Sequence, residues 1–156
     1  MRGDNRAKET SSSQGPGGRV ARSSLRAGRA PVAIRVPFAA SSVSLARHRL
    51  KAWLEDLGTP TDTVDDARIV ISELVGNSVR HAQPLPEGDI LVSWQMEPRG
   101  LLVSVTDGGS GTRPRTVHAP SSALAGRGMA IVESLAVTWW ADKKQARSTV
   151  HAIVDI

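Results

Sequence analysis

Residues 67–84 read ARIVISELVGNSVRHAQP. Val64, Ala67, Val70, Ile71, Leu74, Val75 and Val79 recur at helical spacing and predict a long amphipathic helix with one apolar stripe. Glu73, Asn77 and His81 are each four residues apart, which stacks a carboxylate, an amide and an imidazole in one column beside that stripe. A polar column at the edge of a core is how a cleft wall is built. On this helix alone, a solvated face is the plainer reading.

Working outward, Gly58-Thr59-Pro60 is a turn, with Thr61 or Asp62 expected to cap the helix and Asp65 and Asp66 expected in its first turn. Pro84 and Pro86 end it. Upstream, Val32–Pro37 alternates and predicts a strand, and Ser41 or Ser42 is expected to cap a helix carrying Ala46, Leu50, Trp53, Leu54 and Leu57. Downstream, residues 89–96 and 101–106 predict a hairpin through Glu97-Pro98-Arg99-Gly100, read as a type I turn. A polar, glycine-rich stretch follows over 107–125. Gly126-Arg127-Gly128 is then expected to open a helix carrying Met129, Ile131, Val132 and Leu135, and residues 136–141 and 148–156 predict two closing strands. The order β-α-α-β-β-loop-α-β-β predicts a two-layer α+β sandwich, with helices on one face of a mixed, mainly antiparallel sheet.

Composition narrows the function classes. The chain has 156 residues, no cysteine, four Trp, one Phe and no Tyr, so its core is built from aliphatic side chains and no thiolate chemistry is available. No apolar run is long enough to cross a bilayer, so no membrane partner is expected, and a cytoplasmic location is expected. Residues 1–30 carry seven Lys or Arg and two Asp or Glu, which is the whole net charge of +5; the other 126 residues are neutral. Residues 1–30 are therefore expected to be a disordered basic tail, and 31–156 the folded domain. A neutral body makes nucleic-acid binding the weakest reading.

Asp107 ends a strand and is followed by Gly108-Gly109-Ser110-Gly111. A carboxylate there can accept from an exocyclic amine, and glycines let a flat ring approach the backbone. The same residues also describe a β-turn. Gly126-x-Gly128 before a helix fits phosphate cradling by free N–H groups, or a loop hinge. Neither the P-loop nor the dinucleotide-binding fingerprint occurs.

Taken in order, Glu73-x-x-x-Asn77-x-x-x-His81, Asp107-x-Gly109-x-Gly111 and Gly126-x-Gly128-Met129 resemble the N, G1 and G2 boxes of the GHKL ATPase superfamily, which shares the Bergerat fold. The closer resemblance is to the single-domain anti-sigma-factor serine/threonine kinases and related actinobacterial ATP-binding regulators, over residues 32–156. SELVGNSVRHA is similar to that family's helix, and GRGMAIVESLAVTWW to its second glycine box, helix and following strand. The resemblance implies ATP and Mg²⁺ as cofactors, with Glu73 as catalytic base and Asn77 as Mg²⁺ ligand. It also implies Asp107 as the adenine-binding carboxylate, Gly109 and Gly111 in the adenine loop, Gly126, Arg127, Gly128 and Met129 as the phosphate loop, and Thr149 near the adenine. Residues 110–125 would form a lid, with Arg113, Arg115 and Arg127 near the phosphates. The chain departs from the family at Ala146-Arg147, where a glycine-containing turn is usual, and at Met129, where Leu is commoner.

The function implied is an ATP-binding regulator: a serine/threonine kinase that phosphorylates an anti-sigma antagonist in a partner switch. Its partners would be that antagonist and a sigma factor, and a homodimer is compatible. The alternative is an ATP-gated binding module without phosphotransfer.

Overall fold

The computed structural model describes residues 29–110 and 124–156. Residues 1–28 of the expected tail, most of the expected lid, Gly111, Arg113 and Arg115 lie outside the described residues. The elements are β1 (Val32–Pro37), α1 (Ser41–Asp56), α2 (Thr61–His81), β2 (Asp89–Glu97), β3 (Gly100–Asp107), α3 (Leu124–Leu135), β4 (Ala136–Lys144) and β5 (Arg147–Val154). The strands form one five-stranded sheet in the order β1-β2-β3-β5-β4. All four pairings are antiparallel, so the parallel pair that a mixed sheet allows does not occur among the described residues.

The helices form the second layer. Helix α2 lies against β3 and β5 and touches both α1 and α3. Its predicted stripe is the buried face: Val64, Ala67, Val70, Ile71, Leu74 and Val75 are each no more than 3% exposed. They pack with Leu50 and Leu54 of α1, Val92 and Trp94 of β2, Val103 and Val105 of β3, and Val150 and Ala152 of β5. Truncating one such residue, as in Leu74→Ala, would cost roughly 2–5 kcal/mol. Trp53 and Trp94 meet edge to face, with ring centroids 6.5 Å apart.

The hairpin closes with Glu97 opposite Gly100 and a two-residue connection, Pro98-Arg99. Gly100 is required there twice over: its φ is +137°, and a Cβ would strike the Val154 carbonyl.

The helix starts differ from the expected caps. Helix α1 begins after Ala40, and the buried Ser42 hydroxyl donates to the Pro37 carbonyl rather than accepting from the helix. Helix α2 begins at Thr61 after Pro60, with no side-chain cap. Asp62 is the acid in its first turn; Asp65 falls one turn later, where it pairs with Arg68 at 3.0 Å. Helix α3 starts at Leu124, so Gly126 and Gly128 lie inside it rather than before it.

Candidate functional site

The site is built around α2. Glu73 and Asn77 are half-buried at the edge of its packed face, and His81 is exposed at its last position. One turn beyond Gly76, Arg80 folds back along the helix, its Nη2 4.0 Å from Glu73 Oε2. A Cβ on Gly76 would lie 3.0 Å from Arg80 Nη1, so the glycine gives the guanidinium room to lie there.

Asp107, at the end of β3, is only 6% exposed. Ser78 Oγ donates to its Oδ2 at 2.6 Å, and the Gly109 N–H donates to its Oδ1 at 2.8 Å. Burial pushes this carboxyl above the usual carboxylate range, while the Ser78 and Gly109 donors pull it back down. The turn after Asp107 is fastened to the segment leaving α2. Gly108 N–H donates to the Gln83 carbonyl at 2.8 Å, and Gln83 N–H to the Gly109 carbonyl at 3.0 Å. A Cβ at Gly108 would run into the Pro84 carbonyl, and Gly109 has φ +83°. The two adjacent glycines thus answer a close backbone approach and a left-handed conformation respectively.

On the other side of α2 stands α3. A Cβ on Gly128 would lie 2.7 Å from Glu73 Oε2, so the second glycine segment backs directly onto the carboxylate of the central helix. Arg127 is exposed. Met129 is 2% exposed and belongs to the hydrophobic core, so its side chain serves packing.

One expected residue is not brought to this group. Thr149 stands opposite Thr106, and the two hydroxyls hydrogen-bond at 2.8 Å. Thr106 alternates with Asp107, so this pair occupies the sheet face away from the helices. The residue opposite Asp107 is Ser148.

Sequence reasoning also missed Ser78. Its signal was present: a hydroxyl standing four residues after Leu74 and three after Val75, within the apolar stripe. A polar group at such a core position needs a partner.

Comparison with known proteins agrees with this architecture. Residues 36–153 match the family described as Histidine kinase-like ATPase domain. Among curated relatives, the serine-protein kinase RsbW of Staphylococcus aureus strain JH9 is 41% identical over 51 residues, covering 33% of this chain and 32% of its own length. The RsbW of strain Newman matches to the same extent. The chain therefore spans about a third of the length of the curated relatives it matches. Among solved structures, the RsbU and RsbW domains of a Mycobacterium tuberculosis protein superpose with TM-score 0.63 at 21% identity, covering 81% of this chain and 32% of that one. The SiaB–SiaC complex of Pseudomonas aeruginosa gives TM-score 0.56 at 16% identity, covering 88% and 95%. At those identities the two structures speak to the fold alone, while the family match extends over most of the sequence: the chain belongs to the histidine kinase-like ATPase domain family.

Proposed function

We propose that this protein is an ATP-binding regulator that acts as a serine/threonine kinase on an anti-sigma antagonist. The observation that carries this reading is that one helix serves both halves of the site. Helix α2 presents Glu73 against Gly128 on one side and, through Ser78, holds the buried Asp107 on the other.

The residues present fit a purine nucleotide. Asp107 is a buried acceptor with internal donors on both oxygens, and Gly109 takes a conformation that a side chain would strain. In this reading Asp107, Gly109 and Gly111 receive the adenine, and the α3 residues Gly126, Arg127, Gly128 and Met129 line the phosphates. Asn77 offers a neutral amide oxygen suited to Mg²⁺. Among the described residues no cluster of three His, Cys, Asp or Glu is arranged for a metal, so a cation at Asn77 would complete its shell from phosphate and water. Bound Mg-ATP would supply the transferable phosphoryl group. Glu73 accepts the hydroxyl proton of the protein substrate, and its position between Arg80 and α3 keeps the carboxylate oriented.

The serine-protein kinase relatives support the reaction class. The antagonist, a sigma factor as second partner, homodimerisation and a cytoplasmic location follow from the family resemblance. The division into a basic tail over 1–30 and an ATPase domain over 31–156 follows from composition together with the span of that resemblance. Among the described residues no helix is long and apolar enough to cross a membrane.

The alternative is an ATP-gated binding module in which no phosphate moves. The Glu73–Arg80 approach favours it, because the carboxylate already faces a guanidinium 4.0 Å away and so has a partner other than a substrate hydroxyl. Radiolabel transfer from ATP to a candidate antagonist separates the two. Glu73→Gln is expected to keep ATP affinity and lose roughly 10²–10⁴ of the transfer rate. Asn77→Ala is expected to lose Mg²⁺-dependent ATP binding while staying folded. Transfer by Glu73→Gln at the wild-type rate would remove Glu73 from the role of base. A wild type that transfers nothing to any such antagonist would leave the binding module.

A further inference from the structure

Asp107 meets any ligand with its hydrogen-bonding capacity already half used. An ionised carboxylate offers about four lone-pair sites, and here one on each oxygen is taken by a protein donor. The two donors differ in origin. Gly109 N–H belongs to the same turn, two residues on. Ser78 Oγ reaches across from α2, 29 residues away in sequence, and is itself only 4% exposed. It is the bond that fastens the acid to the helix carrying Glu73 and Asn77.

We propose that Ser78 is a specificity-determining residue: its hydroxyl holds the Asp107 carboxylate in an orientation that separates an amino-bearing base edge from a keto-bearing one. This rests on the nucleotide-binding reading given above. An adenine edge brings an N–H donor to a remaining lone pair on the carboxylate. A guanine edge brings a carbonyl oxygen there, so two acceptors face each other in a desolvated place.

Burial alone favours the protonated acid, and the internal donors oppose it. With the Ser78 donor gone, Asp107 keeps only the Gly109 N–H. Its carboxyl can then turn and take a proton, and a protonated acid can donate to a keto oxygen. The amino edge loses its matched acceptor while the keto edge gains a donor. A residue that merely filled the core would weaken both nucleotides in the same proportion.

The test is equilibrium binding of Mg-ATP and Mg-GTP to the full chain, as wild type, Ser78→Ala and Ser78→Cys, each first checked for a cooperative thermal transition by circular dichroism. The wild type is expected to prefer ATP. In Ser78→Ala the ATP-to-GTP affinity ratio is expected to fall about tenfold, equivalent to about 1.4 kcal/mol. Ser78→Cys, whose thiol is a weak donor of similar size, should fall in between. An unchanged ratio in Ser78→Ala overturns the assignment. Should that variant not fold, an unchanged ratio in Ser78→Cys overturns it equally. A wild type that binds neither nucleotide, or both alike, overturns the adenine-binding reading itself, an outcome visible before any variant is made.

Discussion

Placing a methyl group on Gly128 tests the contact between α3 and the central helix. In a helix interior Ala is favoured over Gly by about 0.8–1 kcal/mol, so Gly128→Ala in an unobstructed helix would stabilise the fold by that amount. Here the new Cβ would lie 2.7 Å from Glu73 Oε2, and the carboxylate must retreat by about 0.7 Å to reach ordinary contact at 3.4 Å. A carboxylate at the end of a flexible side chain can do so by leaving its preferred rotamer, at about 0.5–1.5 kcal/mol. Gain and cost nearly cancel, so the single variant should unfold in urea at almost the wild-type midpoint. Glu73→Ala removes the obstruction, and in that background Gly128→Ala should show its full helical gain. The four proteins form a double-mutant cycle with an expected coupling of about 0.5–1.5 kcal/mol. A coupling of zero, with Gly128→Ala equally stabilising in both backgrounds, would refute the contact. The same displacement has a functional reading. A misplacement near 1 Å can cost on the order of 10²-fold in rate, so Gly128→Ala should depress phosphotransfer far more than ATP affinity.

Two further outcomes follow from the geometry. The folded-state pKa of Asp107 is raised by burial, so its favourable contribution is fully present below the unfolded carboxyl value of about 3.9 and is lost as pH rises through the folded value. Urea unfolding of wild type and Asp107→Asn across acid to neutral pH should show the wild type losing stability relative to the variant as pH rises; the opposite slope would mean the donors outweigh burial. Arg29 lies over the Trp53 ring, 5.8 Å from its centroid, and 3.5 Å from Asp56. Removing residues 1–28 should therefore leave the melting midpoint unchanged, whereas removing 1–30 should cost on the order of 0.5–1 kcal/mol, and equal midpoints would show that the Arg29 contacts contribute nothing.

A segment poor in apolar side chains gives no sign that Arg29 lies over the Trp53 ring. Elsewhere, periodicity served well. The stripe on residues 64–75 and the alternating burial of β2 are set by burial on one side, and burial is what the sequence records. What failed were readings that depend on a single residue of register. Thr149 and Ser148 are neighbours, yet a strand turns successive side chains to opposite faces, so only one of them can share a face with Asp107. The start of α3 failed for a related reason. Gly126-x-Gly128 resembles a helix entrance, but helical backbone tolerates glycine, and the need at Gly128 is for space beside Glu73. The cap of α1 was misread because Ser42 finds its partner in the Pro37 carbonyl five residues back, at the end of β1.

On the proposed reading, the two carboxylates would divide their work by environment. Asp107, almost wholly buried and held by two donors, has little freedom and no bulk water to relax a mismatch, which is the condition under which an unmatched hydrogen bond becomes costly and a base can be told from its neighbour. A base at Glu73 would need the opposite. Its side chain is 27% exposed and stands between Arg80 and α3, so a proton can reach it and a hydroxyl can approach it. Both requirements are met by one rigid helix because Ser78 lies five residues after Glu73, far enough round and along α2 for one to face the sheet edge and the other to face α3. On the proposed reading, the wall that holds the base-recognising carboxylate would also hold the proton acceptor. A shift of α3 against Glu73 bears on the same helix to which Ser78 ties Asp107.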